Sequence, residues 1–319
     1  MIGYQDVLEA RARVKEAVHN TPILHSSRLD EIAGGRLLFK MESFQRSGAF
    51  KFRGAYHALL RRREEATKVG VVTASSGNHG GALALAASVL GIRATIVMPE
   101  DAAGVKVAAI EDTGARIVFC GRSSDKRQDQ ARAIAWDDGS LFVPPYDHPD
   151  VIAGQGTTAL EILEEVPDLD ILAVPCGGGG LLAGCALVCN HLAPEAELYG
   201  VEPSAANDTA LSLERGERVT TPLGDTMADG ARNVCPGELT FPIIKQHVRS
   251  ILLVEEDEMA RAVHLLLTRL KIVCEPTGAL AAAAILDQKI DLAGRTAVVV
   301  ISGGNVDPAV LADCCSRSL

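Results

Sequence analysis

Short apolar runs rich in β-branched residues recur along this chain of 319 residues, and a polar loop and a helix-forming segment follow most of them. Continuous apolar strands that alternate with helices are typical of a mostly parallel sheet covered by helices on both faces. The sequence therefore predicts an α/β fold. The predicted strands lie at 70–74, 93–100, 114–121, 170–175 and 196–203 and within 295–305.

Three loops at the ends of predicted strands have a similar composition. Residues 75–80, 176–180 and 302–305 are rich in glycine, serine and asparagine. In open α/β sheets, ligands bind outside the carboxyl ends of the strands. Three such loops together indicate a ligand site more strongly than any one of them alone.

The composition narrows the class of protein further. Hydrophobic residues make up 47% of the chain, the formal net charge is −10 and the pI is about 5.3. This acidic balance argues against a nucleic-acid-binding protein, which usually carries a basic face. No apolar run approaches the roughly 20 residues of a membrane span, so we expect neither a nucleic-acid nor a membrane partner.

The N-terminal segment is amphipathic, with Val7, Val14 and Val18 on one face. It lacks the apolar stretch of a signal peptide and predicts a helix that ends near Asn20, ahead of Pro22. The eight cysteines include no CxxC pair, so we expect buried reduced thiols rather than zinc sites or disulfides. The sequence therefore predicts a cytoplasmic protein.

Four consecutive glycines in "PCGGGGLLAG" (175–184) lie between a predicted strand and a predicted helix. Backbone N–H groups in such a loop can surround an anion, and the helix N-terminus favours negative charge, so the loop predicts a phosphate site. Gly178, Gly180 and Ala183, with Glu202 about twenty residues on, also fit a dinucleotide-binding fingerprint. The loop alone leaves both cofactors open.

Two further segments carry polar side chains suited to small ligands. "SSGNHGG" (75–81) offers serine and asparagine side chains at a predicted helix N-terminus, which suits a carboxylate. "VEPSAAND" (201–208) brings Glu202 and Asp208 into one loop, where they could hold a hard divalent cation. From the residues alone, a solvated acidic loop is the preferred interpretation of the second segment.

The segment "SGAFKFRGAY" (47–56) places Lys51 between two phenylalanines and close to Arg53. A lysine on a helix is ordinarily solvated. Apolar neighbours and a nearby positive charge both disfavour the ammonium form, so we expect both to lower the pKa of Lys51. A neutral lysine amine is a nucleophile that can form a Schiff base with a carbonyl compound.

Eight motifs then occur in one order over residues 5 to about 310: "ESFQRSGAFKFRGA", "TASSGNHGGALA", "PYDHPDVIAGQGT", "PCGGGGLLAG", "VEPS", "DTMADGAR", "CEPTGA" and "ISGGN". Together they resemble the serine/threonine dehydratase and serine racemase family of fold type II pyridoxal-phosphate enzymes. The resemblance implies a fold similar to the tryptophan synthase β chain, with two parallel-type open sheets flanked by helices. It also implies a large cofactor-binding domain (1–70 and 147–319), a small mobile domain (71–146) and a homodimer.

The resemblance also assigns roles to individual residues. Lys51 would form the Schiff base with pyridoxal 5'-phosphate and act as a catalytic base, and Ser76 would be a second acid or base facing the substrate. The implied cofactor contacts are Phe50, Lys51, Asn78, Gly177, Gly178, Gly179, Gly180, Glu275 and Ser302. The implied contacts to the substrate carboxylate are Ser75, Ser76, Asn78 and His79. The implied ligands of Mg²⁺ (or Ca²⁺ or Mn²⁺) are Glu202, the Ala206 carbonyl and Asp208, which reverses the preference for a solvated loop.

The activity implied by the resemblance is dehydration of a β-hydroxy amino acid of the L-serine or L-threonine type, giving a 2-keto acid and ammonia. Alternatives that share the same motifs are a serine racemase, a bifunctional enzyme and a 3-hydroxyaspartate dehydratase. A second substrate carboxylate would require a cation, for which Arg127 and Arg232 are candidates. A dehydrogenase that binds NAD would leave Lys51 without a role. The chain ends soon after "ISGGN", so we expect no C-terminal regulatory domain and no feedback inhibition through one.

Overall fold

The computed structural model of this chain describes residues 2–75, 77–102, 104–121 and 124–317. The strands within these ranges are β1 (Ile23–His25), β2 (Arg36–Met41), β3 (Val71–Ala74), β4 (Ala94–Met98), β5 (Arg116–Phe119), β6 (Leu141–Phe142), β7 (Ile171–Pro175), β8 (Glu197–Pro203), β9 (Ser250–Val254) and β10 (Thr296–Ile301).

The helices in the same ranges are α1 (Tyr4–Val14), α2 (Ser27–Ala33), α3 (Lys51–Arg61), α4 (Arg63–Val69), α5 (Asn78–Leu90), α6 (Gly104–Glu111), α7 (Ser124–Asp138), α8 (Pro149–Glu165), α9 (Gly180–Leu192), α10 (Asp208–Arg215), α11 (Thr240–His247), α12 (Glu256–Leu265), α13 (Pro276–Leu286) and α14 (Pro308–Arg317). Short 3-10 turns lie at Glu42–Phe44, Arg46–Gly48 and Asp229–Ala231, and a π-helical turn lies at Leu266–Leu270.

The strands form two sheets, as the family resemblance implies for this α/β fold. The larger sheet has the order β1-β2-β10-β7-β8-β9, and the smaller has the order β5-β4-β3-β6. Every neighbouring pair is parallel except β1 and β2, which are antiparallel. The predicted parallel arrangement therefore holds for both sheets, with one antiparallel strand at the edge of the larger sheet.

The larger sheet is buried on both faces. Helix α13 is buried along its whole length and packs with α12 and α2 against one face. Helices α8 and α9, together with part of α1, pack against the other face. Because its strands are covered on both sides, they are continuous apolar runs such as the "AVVVI" segment of β10.

The four strands of the smaller sheet all lie between residues 71 and 142. Helices α3 and α5 pack on one of its faces, and α7 contributes to a smaller apolar cluster on the other. These strands fall inside the range predicted to form a small domain. That this range moves as a separate domain stays a prediction.

The N-terminal helix is shorter than the sequence predicts. Helix α1 ends at Val14, and residues 15–17 form a turn rather than continuing towards Asn20. A contact distant in sequence explains the difference, because the His19 backbone exchanges two hydrogen bonds, of 2.9 and 2.8 Å, with the Gln45 side chain. No helix in the described part of the chain has the length and apolar character needed to cross a bilayer.

Candidate active site

Loops from both sheets converge on one cavity of about 1220 Å³. Ser75 and Asn78 follow β3, the residues Gly177–Gly180 follow β7, and Ser302 follows β10; all of them line the cavity. The carboxyl ends of parallel strands are the expected place for a ligand in such a fold. The structure therefore brings together the three loops that the sequence singles out.

Lys51 begins helix α3 and lines the same cavity. Its Nζ donates a hydrogen bond of 2.7 Å to the Pro145 carbonyl oxygen and lies 5.0 Å from the centre of the Phe50 ring. The segment is held in place by the Phe50 N–H, which donates to the Ser302 carbonyl. Burial lowers the pKa of Lys51 to about 8, so part of the amine is neutral near physiological pH.

Arg53 does not contribute to this low pKa, and the expectation that it would is wrong. Its side chain is fully buried and forms ion pairs of 2.7 Å with both Glu42 and Glu161, which neutralise its charge. Phe52 likewise packs into the core rather than beside the lysine. Residues two apart on a helix point in different directions, so burial alone shifts the pKa of Lys51.

The glycine loop has no room for side chains. A Cβ atom on Gly178 would lie 2.3 Å from the Tyr146 ring, and one on Gly177 would lie 2.8 Å from the Asn233 side-chain oxygen. Gly179 has a φ of +88°, in the left-handed region that favours glycine. Backbone N–H groups in such a loop, at the N-terminus of helix α9, suit a phosphate.

Asn78 and Glu275 form a hydrogen-bonded pair in the wall of the cavity. The Asn78 Nδ2 donates a bond of 2.6 Å to the Glu275 Oε1. Burial, with a smaller contribution from the charge of Asp229, raises the pKa of Glu275 to about 8. Ser302, which is 2% exposed, adds a neutral hydroxyl group to the same wall.

The predicted carboxylate site is described only in part. The Ser75 hydroxyl accepts a bond of 3.2 Å from the Gly77 N–H. The His79 ring is buried, with its Nε2 3.1 Å from the Val143 carbonyl oxygen, and burial lowers the pKa of His79 to about 3. The ring is therefore neutral and donates to the protein. Ser76 lies outside the described residues, so its predicted role stays a prediction.

Several cations line the cavity. Arg127 and Arg232, proposed from sequence as partners for a second carboxylate, are both among the lining residues, together with Arg132. The Arg232 Nε donates a bond of 3.1 Å to the Gly224 carbonyl. The Arg132 guanidinium lies 4.6 Å from the centre of the Phe142 ring. The cavity is therefore suited to a ligand with an anionic group.

Glu202 and Asp208 lie outside the cavity lining and form a pair of buried acids. The Glu202 carboxylate accepts backbone N–H groups of Thr209 and Ala210 at 3.1 and 3.0 Å. Both oxygens of Asp208 are buried without a hydrogen-bond partner in the described part of the chain. Burial raises the pKa of Glu202 to about 8, with a contribution from Asp208, and that of Asp208 to about 7.

A larger metal cluster does not accompany this pair. Over residues 2–75, 77–102, 104–121 and 124–317, no group of three or more His, Cys, Asp or Glu side chains is placed to hold a metal ion. A cation at Glu202 and Asp208 would therefore need backbone or water oxygens as further ligands. The buried residue Ala206, whose carbonyl the resemblance implies as a ligand, lies in the turn that connects β8 to α10.

The model of the family described as pyridoxal-phosphate dependent enzymes matches residues 14–303. The chain belongs to this family. It is 48% identical over 304 residues to L-threo-3-hydroxyaspartate ammonia-lyase of Saccharomyces cerevisiae, covering 95% of this chain and 93% of that protein. It is 46% identical over 304 residues to serine racemase of Schizosaccharomyces pombe, covering 95% and 94%. The structure of maize serine racemase superposes with a TM-score of 0.94 at 35% identity, covering 99% and 97%.

Membership in this family decides between the two cofactors that the glycine loop leaves open, in favour of pyridoxal phosphate. The residues of this pyridoxal-phosphate enzyme fit that group. The crowded glycine loop suits the phosphate, the amine of Lys51 suits the aldehyde, and the neutral hydroxyl of Ser302 suits the ring nitrogen. Glu202 instead accepts backbone N–H groups, so it is not placed as the acidic residue of a dinucleotide site.

Two residues of this pyridoxal-phosphate enzyme, Pro145 and Tyr146, lie in a quoted motif but received no role from the sequence. Tyr146 packs across Gly178, and the Pro145 carbonyl accepts the Lys51 amine. Both residues belong to a loop that is held in place by Asp147. The Asp147 carboxylate accepts hydrogen bonds of 2.9 and 2.8 Å from the backbone N–H groups of Glu238 and Leu239. The local signal was the "PPYD" segment at 144–147, where prolines after β6 fix an extended loop.

Proposed function

We propose that this enzyme dehydrates a β-hydroxy amino acid by α,β-elimination and releases ammonia and a 2-keto acid. The observation that carries the proposal is the amine of Lys51, which has a lowered pKa and lies in the cavity that the glycine loop also lines. When bound, pyridoxal phosphate withdraws electrons from the substrate α-carbon and makes its proton easier to remove. Lys51 then takes that proton as a general base.

The neutral hydroxyl of Ser302 supports elimination in particular. A carboxylate beside the ring nitrogen would favour its protonation and prolong the life of a carbanion. A neutral serine gives less delocalisation, which favours prompt loss of the β-hydroxyl group. The α-proton and the hydroxyl group leave the substrate, and the unsaturated product is then hydrolysed to a 2-keto acid and ammonia.

We further propose that the substrate carries an acidic side chain, as L-threo-3-hydroxyaspartate does. Arg127, Arg132 and Arg232 line the cavity, where a guanidinium could bind a second carboxylate in bidentate geometry. L-Serine and L-threonine, the substrates expected first from the sequence, have no side-chain carboxylate that could bind these guanidinium groups.

Activity on each candidate amino acid tests the proposal. The purified enzyme should be yellow, and borohydride should bleach it and leave a pyridoxyl group on Lys51. We expect 2-keto acid and ammonia in equal amounts, with kcat/KM highest for 3-hydroxyaspartate. Arg232→Met should lower kcat/KM for 3-hydroxyaspartate more than for L-serine. A colourless protein that gains nothing from added cofactor would contradict the proposed function.

Racemisation is the second candidate, because relatives with this fold include serine racemases. It requires a second acid or base on the substrate face opposite Lys51, the role predicted for Ser76. Chiral analysis of the product from L-serine distinguishes the two activities. If the enzyme racemises, Ser76→Ala should abolish D-serine formation and leave keto acid formation from L-serine.

We also propose a divalent cation site at Glu202, Ala206 and Asp208, with Mg²⁺ as the first cation to test. The supporting observation is that both oxygens of Asp208 are buried without a hydrogen-bond partner from the described residues. Uncompensated buried carboxylates are costly, and a hard cation with oxygen ligands removes the cost.

The remaining proposals concern the assembly and motion of the protein. We propose a cytoplasmic homodimer in which residues 71–146 close over the substrate and exclude water. An ion pair of 3.1 Å between Lys106 and Asp229, which both line the cavity, supports such a closure. Light scattering tests the dimer, and hydrogen exchange at 71–146 with and without substrate tests the closure.

A further inference from the structure

The side chain of Asn78 presents two ends of almost the same shape and opposite function. One end of its amide donates hydrogen bonds and the other accepts them, so neighbouring groups decide which end faces a ligand. In this structure the Nδ2 end donates to Glu275 Oε1 at 2.6 Å. The Oδ1 end accepts a bond of 2.8 Å from the Asn305 Nδ2. The two neighbours therefore specify the same orientation of the amide.

We propose that Glu275 and Asn305 are positioning residues that fix the amide of Asn78 with its NH₂ end available to the 3-oxygen of the cofactor. The inference rests on the pyridoxal-phosphate site described above and on the predicted cofactor contact of Asn78. An NH₂ group has two hydrogens. One is used by Glu275, and the second remains for the cofactor. An amide turned by 180° would present an acceptor to an oxygen that needs a donor.

Asn305 connects three segments that reach the site. Its Nδ2 also donates a bond of 2.8 Å to the Ser47 carbonyl, four residues before Lys51. Gly48 has a φ of +72°, and a Cβ atom there would lie 2.3 Å from Asn305 Oδ1. The segment that leads to Lys51 and the first residue of α5 are therefore both hydrogen-bonded to one side chain at the end of the β10 loop.

Glu275 holds the other end of the amide more firmly. Its side chain is buried, whereas Asn305 is exposed, so water competes more strongly for the Asn305 bonds than for this one. A Cβ atom on Gly303 would lie 2.3 Å from Glu275 Oε1, so the carboxyl group reaches Asn78 only because residue 303 is glycine. We therefore expect Glu275 to contribute more to the orientation than Asn305.

Reversing the polarity of both neighbours tests the proposal. Asn305→Asp replaces the donor at the Oδ1 end with an acceptor, which favours the turned amide, whereas Glu275, when ionised above its pKa of about 8, accepts only and favours the original one. Glu275→Gln can rotate its own amide to suit either orientation. The double variant Glu275→Gln/Asn305→Asp therefore accommodates the turned amide at both ends. Asn190→Asp, an exposed change at the end of α9, controls for the added negative charge.

The two readouts are thermal unfolding of the protein without cofactor and the Kd of pyridoxal phosphate measured by equilibrium dialysis. We expect Asn305→Asp to lower the unfolding temperature and to weaken cofactor binding by roughly tenfold, the effect of one hydrogen bond. The double variant should recover the unfolding temperature but not the affinity. The yellow band of its lysine-bound cofactor should persist to higher pH than in the wild type, because the 3-oxygen lacks its donor.

Two results would overturn the proposal. One is a double variant that recovers cofactor affinity together with stability, and the other is an Asn305→Asp enzyme that binds the cofactor as tightly as the Asn190→Asp control. Failure of the proposed function would look different. In that case the wild-type enzyme would bind pyridoxal phosphate, and the variants would rank as expected, but no hydroxy amino acid would be converted to a keto acid.

Discussion

Two pairs of buried carboxylates in this protein differ in how their charges are compensated. Glu42 and Glu161 lie in a network with Arg53, Lys40 and other donors. Glu202 lies near the end of β8 and Asp208 begins α10, without a basic side chain in contact within the described residues. Both pairs are buried, so the difference between them lies in their partners and not in their exposure.

The first pair is complete. Arg53 donates to both oxygens of Glu42 at 2.8 and 2.7 Å and to both oxygens of Glu161 at 2.7 Å. Lys40 adds a bond of 2.7 Å to Glu161, and Thr21 adds one of 2.6 Å to Glu42. These bonds lower the pKa of Glu161 despite its burial. All four carboxylate oxygens of this buried network accept hydrogen bonds, so the network stabilises one arrangement of the chain. It leaves no oxygen unpaired that a ligand could use.

The second pair is incomplete, and its pKa values show the consequence. Burial raises the pKa of both Glu202 and Asp208, because no cation within the described residues offsets it. An enzyme that retains such a pair must either keep it protonated or supply a cation from outside. The contrast with the complete network supports the proposed cation site at Glu202 and Asp208 and indicates that the Arg53 network is part of the scaffold.

The largest effect is expected from breaking the complete network. Arg53→Met removes the central cation and leaves Glu42 and Glu161 buried with too few donors. Loss of one partner from a buried ion pair costs about 3–5 kcal/mol. We expect a decrease of that size in the free energy of unfolding, measured in urea. Arg63→Met, the same change at an exposed position of α4, should cost far less. Equal costs at the two positions would show that the network contributes no more than a surface charge.

Lys51 and Lys40 extend the comparison to buried amines. Lys40 donates to Glu161 and to the Thr21 carbonyl, whereas Lys51 donates only to a neutral carbonyl in the described structure. A pKa of about 8 in place of 10.5 gives Lys51 roughly 300 times more neutral amine at pH 7.

The rate at which the cofactor bonds to Lys51 tests this difference. Stopped-flow absorbance after mixing cofactor with apoenzyme should show about a tenfold rise per pH unit below pH 8 and a plateau above it, because only the neutral amine reacts. Lys40→Met should leave the position of that plateau unchanged. A rate that keeps rising to pH 10 would mean that Lys51 titrates as an ordinary lysine.

These two regions also show which parts of the fold and the site can be predicted from sequence patterns. The strand and glycine-loop pattern predicted the fold and the convergence of Ser75, Asn78, Gly177–Gly180 and Ser302, because local apolar runs and backbone requirements determine both. Strand β2 was missed because it contains Lys40, whose charge is acceptable only beside Glu161, 121 residues away. The direction of Arg53 depends on Glu161 in the same way.

The sequence did indicate, nevertheless, that the Arg53 side chain points away from Lys51. Positions 51 and 53 are two residues apart on a helix, which places their side chains on different faces. That spacing alone argues against a direct effect of Arg53 on Lys51. The partners of Arg53, by contrast, come from distant segments and cannot be found by local spacing.

For the incomplete pair, Glu202 and Asp208, we expect a smaller effect, namely a free energy of unfolding that depends on pH. With raised pKa values, folded Glu202 and Asp208 hold protons at pH 5 to 8 that the unfolded chain has released. Stability without a cation should therefore fall as pH rises through this range. Mg²⁺ binds the ionised pair, so it should stabilise the protein most near pH 8, by about 2.7 kcal/mol at a concentration 100 times its Kd.

Thermal unfolding in EDTA and in Mg²⁺, at pH 5.5 and at pH 8, measures this effect. Asp208→Asn should remove the response to Mg²⁺ and reduce the dependence on pH. Asp257→Asn removes an exposed carboxylate from α12 and should change neither. A wild-type enzyme that unfolds at the same temperature with and without Mg²⁺ at pH 8 would contradict the proposed cation site.

The smallest effect is expected from an exposed ion pair, Arg62 and Glu65, whose bond lengths match those of the buried pair Arg53 and Glu42. Arg62 donates to Glu65 through Nε at 2.8 Å and a terminal nitrogen at 2.7 Å, the same two distances at which Arg53 donates to Glu42. The side chains of Arg62 and Glu65 are 47% and 50% exposed, while those of Arg53 and Glu42 are fully buried. The two pairs therefore differ in burial but not in these bond lengths.

Glu65→Gln should change the free energy of unfolding by about 0.5 kcal/mol or less, because water replaces what the exposed pair loses. Glu42→Gln, the same chemical change at the same bond lengths, should cost several times more, because the buried Arg53 loses a charged partner that no water replaces. Urea unfolding of the two variants side by side isolates burial as the variable. If their costs were equal, bond geometry and not burial would determine the strength of these ion pairs, and the contrast with Glu202 and Asp208 would lose its physical basis.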